Sequence, residues 1–407
     1  MYWYYFIAVM LIISQLVFLY QTCRNYRYAL IEYKKQRSSY RPKTALIVPC
    51  KGLDFAFTEN ISSFFNQDYE NYLLRFVVAD ESDPAFAELC NLKNHMGKTS
   101  KAEDIQILVA GYAESCSQKI HNLLYCCENL GSDVEVLAFA DSDICVRSDW
   151  LSHIVHPLRK SKNGAASGYR WFVPQKNNMA SLALSAINAK VAQLLGNTPF
   201  NQAWGGSMAI RADVFYQIGL DKIWSNALSD DLSLSYAVKK AGKKIVFVPA
   251  CLVASYDSIT WGDLFEFGRR QFLITRVSTP GTWWFGLCSS LYSILGLWAT
   301  AAAAIYASTQ LSTPRHQLLV FIAVPVLFFA SQFIRAILRQ KMADKLLRYK
   351  YRTSKAAIAA DILFFWLWSF LLLFLIISSA FGRTIRWRGI RYKLLGPTQT
   401  IVLSKDL

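Results

Sequence analysis

The chain has 407 residues, 53% of them hydrophobic, and a formal net charge of +16. Its positive mean hydropathy is high for a soluble protein and points to membrane segments, with room beside them for one domain of ordinary size. The basic residues cluster beside apolar stretches, and no zinc-finger spacing or RNA-binding aromatic signature is present. That excludes nucleic acid as the natural partner and favours anionic lipid headgroups. Nine cysteines, odd in number and without a C-x-x-C pair, fit a reduced domain better than a disulfide framework.

Trp3 to Tyr20 is apolar except for Ser14 and Gln15. About 18 apolar residues suffice to cross a bilayer, and the run lacks the basic leader and small-residue cleavage site of a signal peptide. Arg24, Arg27, Lys34, Lys35, Arg37, Arg41 and Lys43 follow it, which places the N-terminus outside and the following chain in the cytoplasm. From Lys43 to about Val248 short apolar runs alternate with helical patterns. Strands are expected at Ala45–Val48, Leu74–Ala79, Ile105–Ala110, Val134–Ala140 and Lys244–Val248. Helices are expected at Thr58–Phe65, Ser117–Leu130, Ser148–Leu158, Met179–Leu195 and Leu232–Ala241. This alternation predicts an α/β domain with a mostly parallel sheet. Beyond Tyr169 the pattern is less regular, although Gly205-Gly206-Ser207 reads as a tight turn before the apolar Met208–Ile210.

Ser258 to Arg276 is amphipathic and suits a helix in the membrane interface. Trp283–Ala307 and Leu318–Leu338 are long enough to span, Arg339–Lys355 is basic and expected in the cytoplasm, and Ile358–Phe381 is the last apolar segment. If that segment crosses, the basic tail behind it lies outside, against the positive-inside rule; if it is re-entrant, the tail returns to the cytoplasm. The second arrangement is preferred. Tyr2, Trp3, Trp283, Trp284 and Trp387 are candidate interface anchors. The expected domains are 1–22 (first membrane helix), 43–256 (cytosolic catalytic domain), 257–280 (interfacial helix), 281–382 (C-terminal membrane helices) and 383–407 (basic tail).

Three acidic sites stand out: Asp80 after the second strand, Asp141-Ser142-Asp143 after the fourth, and Asp230-Asp231 at a helix start, where Ser229 or Asp230 is a good N-cap. Ligands of open α/β sheets sit beyond the carboxyl ends of the strands. A divalent cation is commonly held there by one or two carboxylates plus substrate phosphates. A carboxylate can also accept hydrogen bonds from a nucleoside or take a proton as general base.

Together the motifs resemble ceramide glucosyltransferase and its bacterial relatives, within the family 2 type of inverting glycosyltransferases. The resemblance rests on Val48-Pro49-Cys50-Lys51-Gly52, Ala79-Asp80-Glu81-Ser82-Asp83-Pro84-Ala85, Lys119-Ile120-His121-Asn122-Leu123, Asp141-Ser142-Asp143, Gly205-Gly206-Ser207-Met208, Asp230-Asp231 and the tail Ile385-Arg386-Trp387-Arg388-Gly389-Ile390-Arg391-Tyr392. The family's Gln/Arg-x-x-Arg-Trp motif has no match on the amphipathic helix, which reads Gly268-Arg269-Arg270-Gln271-Phe272.

The resemblance implies a GT-A type nucleotide-sugar-binding domain with one N-terminal and about three C-terminal membrane helices. It implies an integral membrane enzyme that moves a hexose, glucose foremost, from a UDP-sugar to the primary hydroxyl of ceramide or a similar lipid. In that scheme Asp231 is the general base, with Asp230 beside it. Asp143 and Asp141 hold Mn²⁺ or Mg²⁺. Lys51, Asp80, Lys119, Asp141, Arg269 and Arg270 meet the nucleotide sugar, with Arg276 a further candidate for the diphosphate, and Gly205, Gly206 and Ser207 face the acceptor. Transfer to another lipid such as a hopanoid is the nearest alternative. A processive polysaccharide synthase would need a larger membrane bundle and the intact Gln-x-x-Arg-Trp site. A transporter or scaffold would place ionisable residues inside the spans, where Arg335 and Asp361 are the few candidates.

Overall fold

The structure is a computed structural model. It describes residues 2–405 other than 38, 55, 311–312, 349–353 and 388, and no side chain at 2, 3 or 405. Arg388 of the tail motif, the side chains of Tyr2 and Trp3, and residues 349–353 of the basic stretch thus lie outside the described residues.

Helix α1 (Tyr2–Tyr33) leads into β1 (Thr44–Pro49), α2 (Phe57–Phe65), β2 (Tyr72–Val78), α3 (Pro84–Met96), β3 (Asp104–Val109), α4 (Gln118–Glu128), β4 (Val136–Ala140) and α5 (Trp150–Val155). The chain continues through β5 (Asn163–Pro174), α6 (Met179–Ala192), β6 (Ser207–Arg211), α7 (Ala212–Gln217), α8 (Leu220–Trp224), α9 (Asp230–Lys240) and β7 (Lys244–Asp257). The seven strands form one sheet of order β3-β2-β1-β4-β6-β5-β7. Only β6 runs antiparallel to its neighbours, so the sheet is mostly parallel. Strand β4 is buried at every position, as expected of an apolar run covered on both faces.

Alternation along the strands sends Leu46, Val48, Phe76 and Ala138 into one core with Phe64, Leu89 and Trp150. It sends Ala45, Ile47, Leu137 and Phe139 into another with Leu123, Phe215 and Leu234. Helices therefore cover both faces. The chain runs outward in opposite directions from β1 and β4, and such a reversal opens a crevice at the strands' carboxyl ends.

The closing strand is far longer than its expected Lys244–Val248. It continues to Asp257 because β5, absent from the sequence reading, pairs along it. The register between them shifts at Ser167/Tyr169, a bulge that re-aims the following side chains.

Among the described residues, three helices are long and apolar enough to cross a membrane: α1, α11 (Pro280–Thr309) and α12 (Arg315–Leu347). Both α1 and α12 outrun their apolar stretches. Ala29 of α1 and Met342, Ala343 and Leu346 of α12 pack with Trp171 and Leu252 of the sheet, and Tyr28 donates to the Phe247 carbonyl at 2.8 Å. The expected basic segment from Arg339 therefore continues α12 up to Leu347, with one face docked on the catalytic domain and Lys341 and Lys345 exposed.

The last apolar segment is α13 (Lys355–Leu363) and α14 (Phe365–Ser378), bent by 83°. At 14 residues, α14 extends about 21 Å, short of the roughly 30 Å of a hydrocarbon core. Lys190 of α6 donates to the Phe365 carbonyl at 2.8 Å and to Ser369, fixing the bend to the catalytic domain. Helix α10 (Trp261–Ser278) begins with a capping box from Thr260 and Asp263. The basic tail is an antiparallel sheet of β8 (Thr384–Trp387), β9 (Ile390–Gly396) and β10 (Gln399–Lys405). Ile385, Tyr392 and Leu394 pack on Leu228, Leu273 and Ile274, so the tail lies on the catalytic domain's side. Trp283, expected at the interface, is instead buried and donates its indole N–H to Ser379 at 2.8 Å, whereas Trp284 is exposed.

Candidate active site

Four segments converge at the crevice. Asp141 directly follows β4, and its backbone N–H reaches the Gly206 carbonyl at 3.3 Å. The antiparallel pairing of Ala140 with Ser207 sets the glycine turn beside it. Helix α4 starts behind an N-cap at Ser117 and projects Lys119 inward. Helix α9 starts behind an N-cap at Ser229, with Asp230 buried and Asp231 partly exposed.

Lys119 joins them. Its Nζ lies 2.7 Å from Asp141 Oδ1 and 2.9 Å from Asp230 Oδ2. Burial alone would lower the lysine, but Asp141 and Asp230 together hold it above its ordinary value. Asp230 is raised to about 6, first by burial and then by Asp231 and Asp141, against the pull of Lys119. Asp231 is held at the helix end by the N–H groups of Leu232 at 2.7 Å and Gly205 at 3.1 Å, and by the Ser229 hydroxyl.

The glycine turn is closely packed. A Cβ on Gly205 would lie 2.3 Å from Asp230 Oδ2 and 2.8 Å from Lys119 Nζ; one on Gly206 would lie 2.2 Å from the Trp204 ring. Glycine is required because backbone and ion pair share that space. Ser207, expected to face an acceptor, is instead fully buried and accepts the Trp150 indole N–H at 2.9 Å. As the first residue of β6, its side chain enters the core.

Arg170 is a member of the site that sequence reasoning missed. The bulge in β5 brings its Nη2 to 3.4 Å from Asp141 and 3.8 Å from Asp143, and its guanidinium stacks 4.7 Å from the Trp204 ring. Tyr169 meets the same indole edge-on at 6.1 Å. The Tyr169-Arg170-Trp171-Phe172 run was the available signal, since aromatic runs favour strands.

Asp141 and Asp143 already hold a cation between them, and hard carboxylate oxygens suit Mg²⁺ or Mn²⁺. Among the described residues no cluster of three or more His, Cys, Asp or Glu exists for a metal. Two carboxylates with substrate phosphates completing the shell are the arrangement the residues fit.

The remaining expected residues stand on other elements. Lys51 and Asp80 follow β1 and β2, neighbours in the sheet. Gly52, at φ +67°, donates to Asp83 at 2.8 Å, and Asp80 accepts from the Ser82 N–H at 2.8 Å. With strands spaced about 4.8 Å apart, Asp80 stands roughly 10 Å along the sheet edge from Asp141. Arg269 donates to the carbonyls of Ser378 at 3.2 Å and Phe381 at 3.0 Å, which commits it to the end of α14. Arg270 lies over the rings of Phe267 at 5.5 Å and Trp387 at 6.0 Å. The tail also reaches the site: the Tyr392 hydroxyl lies against the Gln118 backbone N–H.

A mostly parallel sheet with a strand-terminal Asp-x-Asp, cations beside it and an acidic helix start is a GT-A type domain, and the protein is a nucleotide-sugar glycosyltransferase. The chain belongs to glycosyl transferase family 21, whose model matches residues 4–399; this is the ceramide glucosyltransferase family that the motifs resemble. Among solved structures it is similar to a mannosyltransferase from Pyrobaculum calidifontis in complex with GDP-Man and Mn²⁺, at 14% identity and TM-score 0.44, over 92% of this chain and 97% of that one. A second is GalNAc-T7 with UDP, GalNAc and Mn²⁺, at 12% identity and TM-score 0.39, over 55% of this chain and 45% of that one.

Proposed function

We propose that the protein transfers a hexose, glucose foremost, from a UDP-sugar to the primary hydroxyl of a membrane lipid such as ceramide. The observation that supports this most is Lys119 tying the Asp-x-Asp strand end to the acidic start of α9, because it sets a diphosphate site beside a carboxylate base. Asp231 takes the proton as the lipid hydroxyl oxygen bonds to the anomeric carbon. The bond from that carbon to the diphosphate breaks, UDP leaves from the opposite face, and one displacement inverts the configuration. Asp141 and Asp143 would hold a divalent ion, which when bound offsets charge on the leaving diphosphate. Lys119 and Arg170 hold the two aspartates in place and add positive charge there. Asp80 and Lys51, along the same sheet edge, meet the uridine. Arg270 is retained as a diphosphate contact, reaching in from beside the tail. Gly205 and Gly206 let the acceptor approach the backbone, a role Ser207 does not share.

A lipid acceptor fits the architecture. Helix α10 precedes the membrane helix α11 and follows β7, so it links catalytic domain to bilayer. Three crossings with α13 and α14 re-entrant put the catalytic domain and tail on one side, and the positive-inside rule makes that side cytoplasmic. The basic stretches then face anionic headgroups.

The test is a donor-by-acceptor panel: purified protein in detergent with Mn²⁺ or Mg²⁺, several UDP- and GDP-sugars and several lipids, read by mass spectrometry. Hexosylceramide formed from UDP-glucose is the expected result. A different glycolipid replaces the substrate assignment, long glycans favour a synthase, and no product from any pair removes the reading.

The pH profile supplies a second check. With Asp230 raised to about 6, its pair with Lys119 is lost as pH falls through that value, so the acid limb of kcat is expected near pH 6. A raised carboxyl favours the protonated fold, so its contribution to stability is fully present below about pH 4 and is lost as pH rises through 6. Activity and this part of stability should therefore move oppositely between pH 4 and 6. Lys119→Met removes the pair itself, so the limb near pH 6 should disappear from the activity that remains. A limb that persists in that variant separates Asp230 from the profile.

A further inference from the structure

A second basic site lies where α10, the end of α14 and the tail sheet meet, with none of its lining residues in the Lys119 cluster. A pocket of about 720 Å³ is lined there by Arg276, Arg383 and Lys393 together with Val277, Phe381 and Leu395. Arg276 donates to the Gly382 carbonyl and Arg383 to the Leu395 carbonyl at 2.9 Å. Among the described residues no carboxylate forms an ion pair with Arg269, Arg276, Arg383 or Lys393. The arginines stand close enough to repel one another: Arg276 is lowered by burial first and then by Arg383 and Arg269. Cations near a helix C-terminus complement its dipole, but the partial charge there is too small to neutralise this many. The mouth is apolar, with Phe381 75% exposed and Leu395 40% exposed. Its walls adjoin two membrane elements: α10 passes into α11 at Pro280, and α14 ends at Ser378.

We infer that this pocket binds the phosphate headgroup of an anionic phospholipid, with Arg276, Arg383 and Lys393 on the phosphate and Phe381 and Leu395 along the acyl chains. The inference rests on the chain being embedded in a membrane and not on which sugar or acceptor it uses. Occupancy would fasten the tail sheet to α10 at the bilayer surface. Since the Tyr392 hydroxyl of that sheet lies against the start of α4, a bound lipid would also steady the cover of the catalytic site.

The experiment is a titration of the purified full chain with phosphatidylglycerol and with phosphatidylcholine, read by native mass spectrometry, with inorganic phosphate and UDP as competitors. The wild type is expected to bind phosphatidylglycerol at least tenfold more tightly than phosphatidylcholine. Each removed charge should cost about fivefold, the equivalent of about 1 kcal/mol for a basic residue at a membrane surface, so Arg383→Gln/Lys393→Gln should bind roughly 25-fold more weakly. Lys393→Gln alone, at an exposed position, provides the fivefold step if the double variant does not fold. Equal binding of the two lipids, or unchanged binding in Lys393→Gln, overturns the inference. Displacement by millimolar phosphate or by UDP would assign the pocket to a soluble anion and overturn it equally. Because binding is read directly, a failed transfer assay leaves this result standing, and a failed lipid titration leaves the transferase reading standing.

Discussion

Asp231→Asn is expected to lower kcat about a thousandfold while leaving UDP-sugar affinity within about twofold. Asparagine has the shape of aspartate, and its amide oxygen can still accept from the Leu232 N–H, which now bonds to Asp231 Oδ1, while the Gly205 N–H on Oδ2 loses its acceptor. What it cannot do is take a proton, and general base catalysis is worth about 10²–10⁴-fold. The neighbouring carboxylate should behave differently. Asp230→Asn removes the 2.9 Å ion pair to Lys119 and leaves that buried lysine with Asp141 alone, so KM for the donor should rise along with the loss in kcat. Single-turnover kinetics with calorimetry of UDP-sugar binding separates the two effects. Turnover above a tenth of wild type in Asp231→Asn would move the base elsewhere; loss of donor binding in that variant would make Asp231 a positioning residue.

The parts of this fold that sequence shows are those whose signal is local. Apolar runs such as Val136–Ala140 and the N-cap at Ser229 announce a parallel strand and a helix start without help from distant residues. Strand β5 does not. Its first half, Asn163-Gly164-Ala165-Ala166-Ser167-Gly168, lacks branched residues because its neighbours leave no room: a Cβ on Gly168 would lie 2.0 Å from the Cys251 carbonyl oxygen. With β5 unread, Arg170 had no place in the site. The tail was hidden for the opposite reason. Its basic residues drew attention, yet Ile385, Tyr392 and Leu394 are buried while Arg386, Arg391 and Lys393 are exposed, a period of two that marks a strand. Candidate site residues on strand ends and helix starts were visible as types, but the contact of Lys119 with both Asp141 and Asp230 is made by the fold, and no spacing encodes it.

The largest expected loss of stability is at Asp361, outside the active site. Asp361 is fully buried on α13 and accepts from Arg339 Nε at 2.7 Å and from Gln340 Nε2 at 2.7 Å, with a second arm to Arg339 Nη2. Arg339 also reaches the Gln193 side chain, just past α6, at 3.3 Å. Arg339 stands about 36 Å along α12 from Arg315 at 1.5 Å per residue, beyond the roughly 30 Å of a hydrocarbon core. The pair therefore belongs to the junction of membrane helix and catalytic domain, which explains ionisable groups at a span's end without a transport role. Asp361→Ala leaves the Arg339 charge buried without its carboxylate, a change that costs about 3–5 kcal/mol. Thermal unfolding of the purified protein in detergent should show a clear fall in Tm. The double variant Arg339→Met/Asp361→Leu, which removes both charges, should recover most of it, since a buried pair contributes little over apolar packing. If the double variant is as unstable as Asp361→Ala, the junction depends on the ion pair's hydrogen bonds to Gln340 and Gln193 and not on avoiding a stranded charge. If Asp361→Ala is as stable as wild type, the bend between α13 and α14 is held by Lys190 and its contacts to Phe365 and Ser369 alone.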